Sequence, residues 1–291
     1  MPTLYQEARA VLQDSGFHAR KSLGQNFLIH ERVIDAILRL LALDPEDRVL
    51  EIGPGLGFLT RRLVEVATDV WAVEIDDFLA QRLSRGSLGE KRNFHLIHGD
   101  VLTISPDTFL PAEKVKLAAN LPYSISTPVL FRLLDWRRHF SSLVLMVQKE
   151  VADRIASGPG TKAYGTLSVW LQAHGRITDK VAVAPEAFYP RPKVRSTILR
   201  IELLDEPLIP EAERAALRDL VRSAFGQRRK TLQNALSAWL NLERTEIERF
   251  LRAQAIDPQR RGETLSIEEF VRLAKAVKEL SLSPAIPSPH A

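Results

Sequence analysis

The stretch Glu51-Ile-Gly-Pro-Gly-Leu-Gly57 decides how this chain is read. It closes residues 48–52, which read as a strand, and opens residues 56–66, whose apolar spacing is helical. Strand, glycine turn and helix make the first step of an α/β unit, and in open α/β sheets ligands bind beyond the carboxyl ends of the strands. Three further segments fall at the same place in the units that follow: Val73-Glu74-Ile75-Asp76, His98-Gly99-Asp100 and Asn120-Leu-Pro-Tyr123. The steps from Gly53 to Glu74, to Asp100 and to Asn120 are 21, 26 and 20 residues, about one strand plus one helix each. That period places all the polar ends on one rim.

Outward from this rim, strands are predicted at residues 70–75, 94–98, 115–119, 143–148, 180–184 and 197–203, with helices at 78–85, 127–134 and 150–156 between them. A helical stripe at Val33, Ile34, Ile37, Leu38 and Leu41 precedes the first strand, and Asp44-Pro-Glu-Asp47 ends it. The expected fold class is α/β, a Rossmann-like, mostly parallel sheet covered on both faces. Beyond the Pro-rich Asp205-Glu-Pro-Leu-Ile-Pro210 the strand pattern stops, and stripes at Leu217, Leu220, Val221, Ala224 and Phe225 and at Phe270, Leu273, Ala274, Val277 and Leu280 predict a small all-helical domain. The expected division is residues 1–204 for the catalytic domain, with 1–22 a short helix and mobile lead-in, 205–280 for the helical domain, and 281–291 for a disordered tail.

With 45% hydrophobic and 26% charged residues the 291-residue chain has an ordinary globular composition. There is no cysteine, which excludes disulfides, zinc ribbons and thiol catalysis and agrees with a cytoplasmic location. No secretory signal and no membrane-length apolar run is visible, and seven scattered histidines offer no metal site. The net charge of +4 tolerates a polyanionic partner. Residues 205–291 carry 14 basic and 13 acidic side chains, so overall charge does not single them out as the nucleic-acid binder.

The donor side of the rim reads as a site for S-adenosylmethionine. Gly53 and Gly55 let the backbone turn and approach a ligand closely, and the Gly-x-Gly-x-Gly spacing departs from the dinucleotide fingerprint. A carboxylate at Glu74 can accept both ribose hydroxyls, Asp100 can accept from an adenine amino group, and Ile75 and Val101 can wall the ring. The plainer alternative is a chain-reversing loop with carboxylates that cap helices. The target side is Asn120-Leu121-Pro122-Tyr123. An adenine amine must become tetrahedral to attack a methyl group, and acceptors at the Asn120 side chain and the Leu121 carbonyl favour that geometry. Pro122 fixes the turn and Tyr123 can stack on the base. Phe188, in Phe188-Tyr-Pro-Arg-Pro-Lys193, can stack on the opposite face of an extruded base, with Arg191 and Lys193 meeting phosphates; a core Phe beside a solvated basic turn is the equal alternative.

These residues resemble a known family, the ribosomal RNA adenine N6,N6-dimethyltransferases, most closely the bacterial small-subunit (16S rRNA) type linked to kasugamycin sensitivity. The resemblance runs from about Lys21 to Ala276 and includes Lys21-Ser-Leu-Gly-Gln-Asn-Phe-Leu28, the glycine loop, Asn120-Leu-Pro-Tyr123, Gln148-Lys-Glu-Val151, Lys162-Ala-Tyr-Gly165, Pro192-Lys-Val194, Ala224-Phe-Gly-Gln-Arg-Arg-Lys-Thr-Leu232 and Glu263-Thr-Leu-Ser266. It implies contacts to S-adenosylmethionine from Asn26, Leu28, Gly53, Glu74, Asp100 and Asn120, with Gln25 and Asn26 as a closing segment over the methionine end. It also implies dimethylation of two adjacent adenosines in a hairpin loop near the 3′ end of 16S rRNA in the 30S subunit. Ser124 and Arg195 depart from the family pattern, where Asn and Asp are common. In this light Arg228, Arg229 and Lys230, three cations at a helix start where the dipole disfavours them, point to RNA phosphate, and Arg260 and Arg261 do so more weakly. A DNA adenine methyltransferase, a binding factor without turnover and a nicotinamide oxidoreductase are the rival readings. A monomer is the default expectation.

Overall fold

The structure is a computed structural model that describes residues 2–14, 20, 23–227 and 229–282. The predicted tail from residue 283, Lys21, Ser22, Arg228, the side chain of Leu280 and most of the lead-in beyond Asp14 therefore lie outside the described residues. In chain order the elements are α1 (Leu4–Asp14), β1 (Phe27–Leu28), α2 (Glu31–Leu41), β2 (Arg48–Ile52), α3 (Phe58–Leu63), β3 (Asp69–Glu74), α4 (Asp77–Arg85), β4 (Phe94–His98), β5 (Val115–Asn120), α5 (Ser126–Asp135), β6 (Phe140–Gln148), α6 (Lys149–Ala156), α7 (Thr166–Gln172), β7 (Gly175–Val183), β8 (Phe188–Tyr189), β9 (Ser196–Leu203), α8 (Arg214–Gly226), α9 (Leu232–Leu240), α10 (Arg244–Ala253) and α11 (Ile267–Leu282).

Seven strands form one sheet in the order β4-β3-β2-β5-β6-β9-β7. The pairs from β4 through β6 are parallel, and β9 returns antiparallel to β6. The inner strands β2, β5 and β6 are almost wholly buried, as a sheet covered by helices on both faces requires. β7 at the edge carries a run of exposed residues, Thr178, Asp179 and Lys180, whose charges blunt it against further pairing. Strand order reverses between β2 and β5, so the crevice at their carboxyl ends is a topological switch point. Gly53 and Asn120 follow and end these two strands.

Local chemistry sets the turns at that crevice. Gly55 has φ +58°, a left-handed conformation, and a Cβ there would lie 3.0 Å from the Phe27 ring. Gly57 has φ +78° and caps α3, where a Cβ would sit 2.8 Å from both Leu83 and Leu88. Asp76 caps α4 by accepting from the Phe78 and Leu79 amides.

Three features were not legible in the periodicity. Residues 27–28 and 188–189 form a two-residue antiparallel pair, Phe27 opposite Tyr189 and Leu28 opposite Phe188, too short to carry an alternating pattern. The short helix α7 was also unforeseen. The third is the division of the chain. Its two compact units are not consecutive: one comprises Met1–Ala152 and Ile177–Leu203, the other Asp153–Arg176 and Leu204–Ala291. The second unit holds the predicted helical stripes, with Leu217, Leu220, Val221, Ala224, Phe270 and Leu273 buried. It also takes the segment of Lys162-Ala-Tyr-Gly165. Tyr164 is fully buried there, donates its hydroxyl to the Leu265 carbonyl at 2.9 Å and meets Phe225 edge-on, and Phe225 stacks on Phe270. The break after Leu203 stays beside the Pro-rich linker, and burial of this aromatic ring accompanies the transfer of residues 153–176 to the second unit.

Candidate active site

The residues singled out at the strand ends converge on one cavity at the switch point. Its floor is the glycine loop with Gly53 and Gly55, the β3 end with Glu74 and Ile75, and the β4 end with Asp100 and Val101. Its other wall is Asn120 through Tyr123, and the segment of Gln25, Asn26 and Leu28 lines it as well.

Glu74 is buried at 4% exposure. Its Oε2 accepts from the Gly55 amide at 3.0 Å and its Oε1 from the Asp76 amide at 2.9 Å. Burial pushes its carboxyl above the usual range, while these two backbone donors oppose the rise. The carboxylate is therefore held rigidly at the loop, with lone pairs left for hydroxyl donors. Asp100 is half-buried and accepts from the Leu102 amide at 2.9 Å, which orients it through a local turn. Val101 is buried and Ile75 is 44% exposed, an apolar wall open on one side. The helix-capping alternative belongs to Asp76 rather than to Glu74.

Asn120 donates its Nδ2 to the Asn26 carbonyl at 3.2 Å. That bond fixes the amide so that its oxygen is turned away from the Asn26 carbonyl, with no donor upon it among the described residues. The Leu121 amide is bound by the Met146 carbonyl at 3.0 Å, which anchors the turn on β6, and the Leu121 side chain is buried. Pro122 and Gly24 pack closely, since a Cβ on Gly24 would lie 3.2 Å from Pro122 Cβ. The Tyr123 hydroxyl shares a 2.6 Å hydrogen bond with Ser196 at the start of β9, and burial raises its pKa. Tyr123 is thus a placed ring and not a free one. The closing segment is tied down too: Gln25 donates to Asp76 Oδ2 at 3.1 Å, and Asn26 donates to the Gly24 carbonyl at 3.0 Å.

Several expectations need correction or a different place. Phe188 is only 2% exposed and belongs to the apolar core under β1, so it offers no open face for stacking in this structure. The core alternative holds because pairing of β8 with β1 turns its ring inward. Arg191 and Lys193 are exposed and do not line the cavity; Arg191 pairs with Glu186. Arg229 and Lys230 are exposed in the second unit, immediately before Thr231, which caps α9. Arg260 is an internal clip: it holds Glu269 at 2.6 and 2.9 Å and the Thr264 carbonyl at 2.6 Å.

Sequence reasoning missed three residues. Ser196 and Asp76 act as partners to Tyr123 and Gln25, and nothing in local pattern marks a partner 73 or 51 residues away. Glu51 is the third, and a carboxylate inside an otherwise apolar strand is the signal the sequence offers for it. It is 2% exposed, lines the cavity, and has its pKa pushed up to about 8, chiefly by burial and further by Glu74, against the Thr60 hydroxyl.

The lining contains three carboxylates, Glu51, Glu74 and Asp100, and no Lys, Arg or His among the described residues. Such a cavity repels a diphosphate and accepts a cation that carries a ribose, so the residues fit S-adenosylmethionine and not a nicotinamide dinucleotide. Among the described residues no group of side chains could hold a metal ion, and no helix is long and apolar enough to cross a membrane.

Comparison with known proteins agrees with this chemistry. Residues 16–279 match the family model for ribosomal RNA adenine dimethylase. The chain is 44% identical over 273 residues to ribosomal RNA small subunit methyltransferase A of Geobacter metallireducens, covering 92% of this chain and 99% of that protein. It is 41% identical over 270 residues to the protein of the same name in Clostridium acetobutylicum, covering 92% and 97%. Among solved structures it is similar to a dimethyladenosine transferase from Plasmodium falciparum (TM-score 0.72, 25% identity, 87% of this chain and 97% of that one) and to the 23S rRNA methyltransferase ErmE (TM-score 0.65, 26% identity, 87% and 100%). The match runs through both compact units and not through the sheet alone, and on that ground the chain belongs to the ribosomal RNA adenine dimethylase family.

Proposed function

We propose that this S-adenosylmethionine-dependent rRNA adenine dimethyltransferase acts on two adjacent adenosines in the hairpin loop near the 3′ end of 16S rRNA, within the 30S subunit. In this reading it works as a cytoplasmic monomer and takes part in ribosome biogenesis. The choice of the small subunit is supported by relatives named for it at 41–44% identity, against 26% for the 23S enzyme. The single observation that carries the chemistry is the fixed amide of Asn120 beside a cavity lined by three carboxylates.

S-adenosylmethionine, when bound, supplies an electrophilic methyl group. Glu74, held by two backbone amides, is placed to take ribose hydroxyls, and Asp100 to take an adenine amino group. Asn120 Oδ1 and the Leu121 carbonyl accept the two hydrogens of the target amine and draw its lone pair out of conjugation, which lowers the barrier by placed dipoles and orientation. Tyr123, braced by Ser196, stacks on the target base. An alkylated adenine amine is acidic, so its proton leaves to solvent without a strong side-chain base. Arg191, Lys193, Arg229 and Lys230 meet RNA phosphates from outside the cavity, and Phe188 stays in the core.

Tritiated methyl transfer tests the proposal, with 30S particles, 50S particles and duplex DNA offered in parallel. Incorporation into 30S particles, mapped by mass spectrometry to two neighbouring dimethyladenosines, is expected. Transfer confined to 50S particles or to DNA overturns the substrate assignment. Sedimentation of the free protein checks the monomer.

A further inference from the structure

Glu51 is the one carboxylate of the cavity with no assigned work, and its surroundings set it apart from the other two. Glu74 has a backbone donor on each oxygen and Asp100 has its turn, but Glu51 Oε2 is buried with no hydrogen-bond partner among the described residues. Its strand neighbours in register are Ala72 on β3 and Ala118 on β5, both fully buried, so small side chains flank the carboxyl on either side. Leaving a buried charge without a partner is costly, and a protein without a cation at hand avoids the cost by keeping the group neutral.

The acidic groups around this carboxyl oppose its ionisation, and the Thr60 hydroxyl favours it. β3 contributes Glu74 and the turn after β4 contributes Asp100, while the buried Asp76 before α4 does not line the cavity and is paired with Arg20 at 3.6 Å. α3 contributes only the Thr60 hydroxyl, β5 the Asn120 amide and the closing segment the amides of Gln25 and Asn26. Among the described residues no basic side chain lines the cavity to hold Glu51 ionised. A positive ligand group is then the missing partner, and the donor carries two at its methionine end, the ammonium and the sulfonium.

We propose that Glu51 is a proton-coupled cation-binding residue: neutral in the free protein, it ionises and releases its proton to the buffer when a cationic group at the methionine end of S-adenosylmethionine enters the cavity. The step is Glu51-COOH to Glu51-COO⁻ plus one proton taken up by buffer; no bond of the ligand changes. The inference rests on the cavity being the donor site. Its consequence is that donor affinity rises with pH until Glu51 ionises unaided, about tenfold for each unit by which the bound cation lowers its pKa.

Calorimetry in buffers of different ionisation enthalpy counts the protons released. Wild type and Glu51→Gln are compared with S-adenosylmethionine, S-adenosylhomocysteine (ammonium only) and methylthioadenosine (neither cation). The ligand's own amine titrates equally in both proteins, so the difference between them reports Glu51. We expect release of nearly one proton at about pH 7 in wild type and almost none in Glu51→Gln. Release with both S-adenosylmethionine and S-adenosylhomocysteine assigns the ammonium, and release with S-adenosylmethionine alone assigns the sulfonium; methylthioadenosine releases none in either case. Binding of S-adenosylmethionine with equal proton counts in wild type and variant overturns the inference and leaves the donor site standing. Absence of binding by wild type overturns the donor site itself. Circular dichroism confirms that the near-isosteric variant is folded.

Discussion

The two halves of the cavity are built from opposite materials. The donor half is carboxylate upon carboxylate, held by buried strand ends and backbone amides, with Glu51 and Glu74 at 2% and 4% exposure. The acceptor half, Asn120 to Tyr123, carries no formal charge and works through an amide, a carbonyl and a braced ring. The difference follows from the reacting partners. A cationic donor is held by negative charge, whereas a neutral amine that becomes positive as it attacks needs acceptors on its hydrogens, not a charge that would bind the ground state equally well.

The comparison can be broken most directly at the acceptor half. Asn120→Ala removes the oriented oxygen, and methyl transfer is expected to fall at least ~10³-fold, about 4 kcal/mol, while donor affinity measured by calorimetry changes less than about tenfold. A variant that methylates at the normal rate would take the acceptor role from Asn120. Glu74→Ala reverses the pattern. It strips two backbone amides of their acceptor as well as the ribose of its partner, and donor affinity is expected to fall ~100-fold, about 3 kcal/mol. Unchanged affinity would separate Glu74 from the ribose.

Charge in the donor half also has a measurable cost in stability. In the unfolded chain the Glu51 carboxyl titrates near its ordinary 4.5, in the folded protein near about 8. Between those values the folded state holds the extra proton, so the stability of the ligand-free protein falls as pH rises and levels off above about 8. Glu51→Gln lacks that slope. Urea unfolding across this range is expected to show the variant gaining on wild type with rising pH, on the order of 2 kcal/mol at the top after relaxation. Parallel curves would mean that Glu51 is already satisfied in the free protein. The smallest effect is expected at Tyr123→Phe, which keeps the ring and frees Ser196. A loss of about three- to tenfold in kcat with donor affinity intact fits a ring positioned by its hydroxyl, and a rate equal to wild type would show that packing alone holds it.

The strand ends were legible because turn chemistry is local. The glycines of residues 53–57, the carboxylates after β3 and β4 and the proline after Asn120 announce themselves within a few residues, and strands β2 and β4 run as expected from the pattern. Phe188 was ambiguous for the opposite reason. An aromatic before a Pro-rich basic turn looks the same whether it is a stacking ring or a core ring, and only its pairing partner, Leu28, 160 residues earlier, decides between them. Arg260 shows the same limit, as a basic residue in a turn became an internal clip through Glu269 and Thr264.

From its residues alone this chain specified an α/β sheet, a rim of polar strand ends and the chemical type of each group upon it, because periodicity and turn chemistry act over a handful of neighbouring residues. The tertiary structure decided which groups are charged, which are braced and which are buried. It tied Asn120 to Asn26 and Tyr123 to Ser196, placed residues 153–176 with the helical unit, and left Glu51 Oε2 without a hydrogen-bond partner among the described residues. Those outcomes depend on desolvation and on hydrogen bonds between segments far apart in the chain, and neither exists until the chain has folded.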